Sequence, residues 1–76
     1  MVKMNGWQNT GSNGRASAVW VRSVIRSIPA RTVEIWVMPY RCMVDFWLGG
    51  GRIIEGNPFD TLEDAKKAAE IWLDEK

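Results

Sequence analysis

Glu34 and Asp45 are the residues of this chain whose types and spacing come nearest to catalytic chemistry. They lie in the stretch "TVEIWVMPYRCMVDFWL", residues 32 to 48, and its alternation puts both carboxylates on one side. A carboxylate pair on one surface is the arrangement of acid–base catalysis. That chemistry needs one carboxyl group with a raised proton affinity, which takes walls that exclude water. An open sheet face has no such walls, so the pair reads as solubilising charge set between tryptophans. The chain has no His, the commonest general base. Its single Cys, Cys42, falls in the apolar phase of the alternation, as a small filler rather than a nucleophile. Zinc-type ligand spacing and an internal disulfide are both ruled out by these counts. Gly49, Gly50 and Gly51 would let backbone N–H groups approach a phosphate, but no Lys and Ser/Thr follow them and no helix starts directly after. They read as a hairpin loop. The expectation is a protein that is not an enzyme and carries no cofactor and no metal.

What remains is surface chemistry. Every second residue of 32 to 48 belongs to one of two sets. Val33, Ile35, Val37, Cys42, Val44, Phe46 and Leu48 form a core face. Thr32, Glu34, Trp36, Met38, Arg41, Met43, Asp45 and Trp47 form the face that should meet water, yet it holds two Trp and two Met. The two arms predict a β-hairpin, with Pro39 fixing φ in a type I-like turn centred on Tyr40 and Arg41. That register pairs Val37 with Val44, Ile35 with Phe46 and Val33 with Leu48. Outward, it sets Met38 beside Met43, Trp36 beside Asp45 and Glu34 beside Trp47. A slip by one residue would put the core set in water, so the facing is strongly determined.

The flanking elements must position that hairpin. Residues 16 to 28, "ASAVWVRSVIRSI", read as a strand, with Val19, Val21 and Ile25 inward and Trp20, Arg22, Val24 and Arg26 outward. The same stretch also carries a helical stripe through Ala18, Val21, Val24, Ile25 and Ile28. Its β-branched residues and Trp favour the strand, and Pro29 ends either element. "RIIE" after the glycines suits a short last strand. The clearest helix is the C-terminal one. Thr61 is its N-cap, with Asp64 three residues later. Leu62, Ala65, Ala69, Trp72 and Leu73 share one stripe, and Ile71 points off it. Residues 1 to 14 are rich in Gly, Asn, Ser and Thr and read as a flexible or irregular arm in which Trp7 is either pinned back on the domain or free for a partner.

The chain has 76 residues and a formal charge of +1, so residues 15 to 76 form one small domain. The fold class is α+β: an antiparallel sheet of three or four strands packed on one C-terminal helix (βββα or ββββα). The alternative has residues 17 to 28 as an N-terminal helix. A lone unpaired Cys suits a reducing compartment. No apolar leader or membrane-length run is visible, so the expected location is the cytoplasm of the host cell, with no membrane partner.

The stretch "GGRIIEGNPFDTLEDAKKAAEIW" resembles the end of the sheet-plus-helix DNA-binding domains of plant ethylene-response-type factors and phage integrase arms. Gly56, Phe59, Asp60, Thr61, Glu63, Ala65 and Ala69 match in kind. The resemblance implies DNA read from the outer sheet face by Arg and Trp, with Trp20, Arg22, Trp36 and Trp47 standing there. The ending is also similar in type to small phage and mobile-element proteins, host-machinery and anti-CRISPR inhibitors among them, which implies occlusion of a protein surface. The partner-binding set read from the sequence is Trp36, Trp47, Met38, Met43, Trp20, Arg22, Arg26, Arg41, Glu34 and Asp45. Three readings of that face arise: it is covered by the arm with Trp7, it binds protein (a target or a second copy, as a homodimer), or it binds nucleic acid. Trp, Met and Arg are enriched at protein interfaces, and the two carboxylates oppose phosphates. Protein is therefore preferred, with nucleic acid second and no small-molecule substrate.

Overall fold

The structure, a computed structural model, describes residues 2–26 and 28–75. Five strands form one antiparallel sheet in chain order. They are β1 (Gln8–Asn9), β2 (Ala18–Val24), β3 (Arg31–Val37), β4 (Cys42–Leu48) and β5 (Gly51–Phe59), followed by the helix α1 (Leu62–Leu73). The α+β class holds, with one more strand than expected. The fifth strand is β1, two residues of the arm paired with Val21 and Trp20. Residues 18 to 24 are strand, as their β-branched composition favours.

The core lies between the sheet and α1. Val33, Ile35 and Val44 are fully buried there, and Ala65 and Ala69 bring the helix backbone close to them. Trp72 closes one end edge-on against Phe46, with ring centroids 5.2 Å apart. Phe59 packs against the same cluster, and Ile71 is exposed. Leu48, expected in the core, is instead 36% exposed because β4 ends there, beyond the cover of the helix.

Both ends of α1 are satisfied from outside it. The Thr61 hydroxyl accepts the Asp64 N–H at 3.1 Å, meeting one of the orphan donors of the first turn. The last turn holds no basic residue. Arg31 of β3 does that work: its Nη1 donates to the carbonyls of Trp72 at 2.6 Å and Glu75 at 3.1 Å. Its guanidinium also lies 5.1 Å from the Trp72 ring centre.

The β3–β4 register differs from the expected one by two residues. Val37 pairs with Cys42, Ile35 with Val44 and Val33 with Phe46. The reversal runs over Met38–Arg41, with the Met38 N–H donating to the Arg41 carbonyl at 2.9 Å. Pro39 and Tyr40 thus sit at the corner. A shift of two leaves every side chain on its expected face, because the side-chain period is two. It does change the outward neighbours: Glu34 faces Asp45, Trp36 faces Met43 and Thr32 faces Trp47.

Facing in β2 is the reverse of the expectation. Trp20 pairs with Ile35 and Arg22 with Val33, so both stand on the helix side, while Val19 and Val21 lie outward opposite Trp36 and Glu34. Ile25 lies beyond the strand and is 79% exposed. The reason is the company available on the helix side. Trp20 packs against the core cluster there, and Arg22 reaches Glu70 of α1 at 3.0 Å.

Candidate binding face

The outer face is built from the residues of β2, β3 and β4 that alternate with the core. Ser23 and Thr32 share a hydrogen bond of 2.9 Å at one end. Glu34 and Asp45 come next, directly opposite one another. Facing like charges destabilise a strand pair, and each carboxylate here is compensated separately. Glu34 accepts the indole N–H of Trp47 at 2.9 Å. Asp45, only 7% exposed, accepts the Gly56 N–H at 2.7 Å and lies 3.5 Å from Nη1 of Arg52. Arg52 in turn lies over the Trp47 ring, 5.4 Å from its centre, and 3.5 Å from Glu55.

The burial of Asp45 follows from an irregularity in β5. The β4–β5 register shifts twice, between Trp47 and Phe46 and between Phe46 and Val44. The second shift sets Glu55 and Gly56 against Asp45. Gly56 has φ +65°, which an L side chain rarely adopts, and a Cβ there would lie 3.3 Å from Cε of Met43. Glycine is therefore required both by the backbone and by the methionine beside it. The expected spacer role of Asp45 gives way to a structural one: its carboxylate ties the bulge to the sheet. Bonded in this way, the Glu34–Asp45 pair is scaffold rather than an acid–base couple.

Beyond this charged band the face becomes apolar. Trp36, Met38 and Met43 line a concavity of about 340 Å³ with Arg15 and Glu55 on its rim. Trp36 Nε1 is buried and has no hydrogen-bond partner among the described residues. An unpaired buried donor costs on the order of 1–3 kcal/mol. Val19, the strand neighbour of Trp36, is 6% exposed yet lies outside the core cluster. Trp36 thus shares the outer face with a buried residue of its own.

The arm does not cover this face. Trp7 is buried on the helix side, in the core cluster, and its indole N–H donates to Glu70 at 3.3 Å. Arg22 and Lys66 converge on the same carboxylate at 3.0 and 3.1 Å. Burial acts to push the Glu70 carboxyl up, but the bonds from Lys66 and Trp7 and the charges of Lys66 and Arg22 outweigh it, so the group sits below its ordinary value.

Of the ten residues read as partner-binding, the structure brings Glu34, Trp36, Met38, Met43, Asp45 and Trp47 together. Trp20 and Arg22 stand on the opposite side of the sheet. Arg26 is exposed beyond β2, lining a separate concavity with Arg31 and Leu73 at the C-terminal end of α1. Arg41 is exposed at the β3–β4 turn. The sequence reading left Arg15, Arg52 and Gly56 out of the face. For Arg52 and Gly56 the available signal was the Gly, Arg and acidic punctuation of "GRIIEG", which marks a bulged edge rather than a regular strand.

Cys42 is 4% exposed, and burial pushes its thiol up, away from the reactive thiolate. Among the described residues no group of three or more His, Cys, Asp or Glu is placed to hold a metal ion. Among the same residues no helix is long and apolar enough to cross a membrane. No protein-family model matches the chain, and no curated protein or solved structure was found similar to it.

Proposed function

We propose that this chain is a non-enzymatic binding protein that docks its outer sheet face, centred on Trp36, Met43 and Trp47, on a protein surface. The observation that carries the proposal is the placement of Trp7. With the arm tied to Glu70 and α1 on that same side, nothing in the described chain covers the outer face. Trp and Met are the side chains that supply most of the energy at protein interfaces. Flexible methionines adapt to a partner's contour. The natural mode of action is occlusion, a small domain blocking a surface on a larger machine, as inhibitors of the phage and mobile-element type do.

The nucleic-acid reading has less support. It called on Trp20 and Arg22, which face the helix. The face keeps Arg15 and Arg52 against Glu34, Asp45 and Glu55, with no cationic excess to meet phosphates. Two measurements test the proposal. Tagged chain should retain a protein from host-cell lysate that the Trp36→Ala/Trp47→Ala double variant loses. Retention by the double variant would place binding elsewhere. Tryptophan emission should be unmoved by DNA or RNA at low salt; salt-dependent quenching would favour the nucleic-acid reading instead.

A further inference from the structure

We infer that the partner of the outer face is a second copy of this chain, packed face to face about a two-fold axis that runs along the strands between β3 and β4. This rests on the reading of the outer face as a docking surface, and it names the occupant.

Charge is the first argument. A two-fold interface joins a patch to itself, so the patch must be self-complementary. Arg15 is exposed and makes no side-chain ion pair among the described residues. Glu55 has a side chain 71% accessible and only a long contact, 3.5 Å, to Arg52. Both lie on the rim of the concavity floored by Trp36 and Met43. The strand order puts them on opposite flanks: Arg15 precedes β2, and Glu55 belongs to β5. An axis between β3 and β4 exchanges those flanks. Arg15 of each copy then comes over Glu55 of the other, twice, on either side of one apolar strip. Opposite charges on the two flanks of an apolar centre are what a self-pairing face needs, and a partner of one net sign would meet the wrong charge on one flank.

Size is the second argument. The two longer dimensions of the chain, 34 and 24 Å, frame a face of roughly 800 Å², the area each partner contributes to a standard interface. Two twisted sheets stack in this way with their strands about 30° apart. A small domain whose core lies on one side of its sheet also gains a second apolar layer by pairing.

Sedimentation velocity on the untagged chain, from micromolar to near-millimolar concentration, tests this directly. The expected result is a concentration-dependent dimer. Arg15→Glu or Glu55→Arg alone should weaken it by about tenfold, and the two together should restore it. Both positions are exposed, so these variants probe the contact and not the fold. A monomer throughout the range overturns the inference. So does a dimer unmoved by Arg15→Glu, Glu55→Arg and Trp36→Ala, which would place self-association on another surface. Single variants that weaken the dimer without rescue in the double overturn the Arg15–Glu55 pairing. If the chain is monomeric but still captures a lysate protein through Trp36 and Trp47, the face docks a different protein and only the self-pairing fails. If it does neither, the docking reading itself fails.

Discussion

Trp7 and Glu70, 63 positions apart, are joined by a hydrogen bond of 3.3 Å from indole to carboxylate. The same carboxylate takes Arg22 from β2 and Lys66 from its own helix. One side chain therefore ties arm, sheet and helix together. Removing it as Glu70→Ala should cost about 1–2 kcal/mol in urea unfolding and shift Trp7 emission to the red. An unchanged midpoint would show that the arm holds without it.

The Glu70 carboxyl sits below its ordinary value in the folded chain. A group of this kind contributes its full stability above the unfolded value, about 4.3 for Glu, and loses it as the pH falls through the folded value. Stability should accordingly drop on acidification below the ordinary Glu range. Glu70→Gln should flatten that part of the profile; an identical acid limb in the variant would assign the effect to other carboxylates.

Arg31 serves the helix terminus from another element, and its geometry is specific to a guanidinium. Arg31→Ala should cost about 1.5–3 kcal/mol, the range for hydrogen bonds to a charged donor. Arg31→Lys should recover only part of it, since one ammonium does not bond two carbonyls while lying over Trp72. Equal stability of the Lys variant and the wild type, by guanidinium unfolding, would contradict this role.

Trp36 and Trp47 occupy one face but should respond oppositely to loss of the indole N–H. Trp47→Phe gives up a bond to Glu34 and should cost about 1 kcal/mol. Trp36→Phe removes a buried donor that has no partner, and stability should stay within about 0.5 kcal/mol of wild type. Thermal melts of the two variants, run side by side, decide it.

Gly56→Ala combines an unfavourable φ with a Cβ pressed on Met43. The expected cost is about 1–2 kcal/mol. Asp45→Ala should cost as much or more, leaving the Gly56 N–H without its acceptor and Arg52 without a charge partner. The two costs should add to less than their sum in the double variant, because both break one bulge. Simple additivity would mean that the carboxylate and the glycine act independently.

Much of this protein was legible in local pattern. The alternation of residues 32 to 48 determined which side chains of β3 and β4 face the core, since a strand repeats every two residues. Thr61, the first-turn acids and the Ala65–Ala69 spacing located the helix and its buried stripe. From these alone came an antiparallel sheet with one helix and an outer face holding Trp36 and Trp47. Other features had no local signal. A register shift of two is invisible to a period of two, so only the paired strands decided that Glu34 faces Asp45. β2 carries apolar residues in both phases, and its facing was settled by Glu70, 48 positions from Arg22. The burial of Asp45 depends on a bulge in the neighbouring strand, and the destination of Trp7 on a helix at the far end of the chain. Facing and capping follow from the repeat of a single element, whereas register, bulges and side-chain partners arise between elements and exist only once the chain has closed on itself.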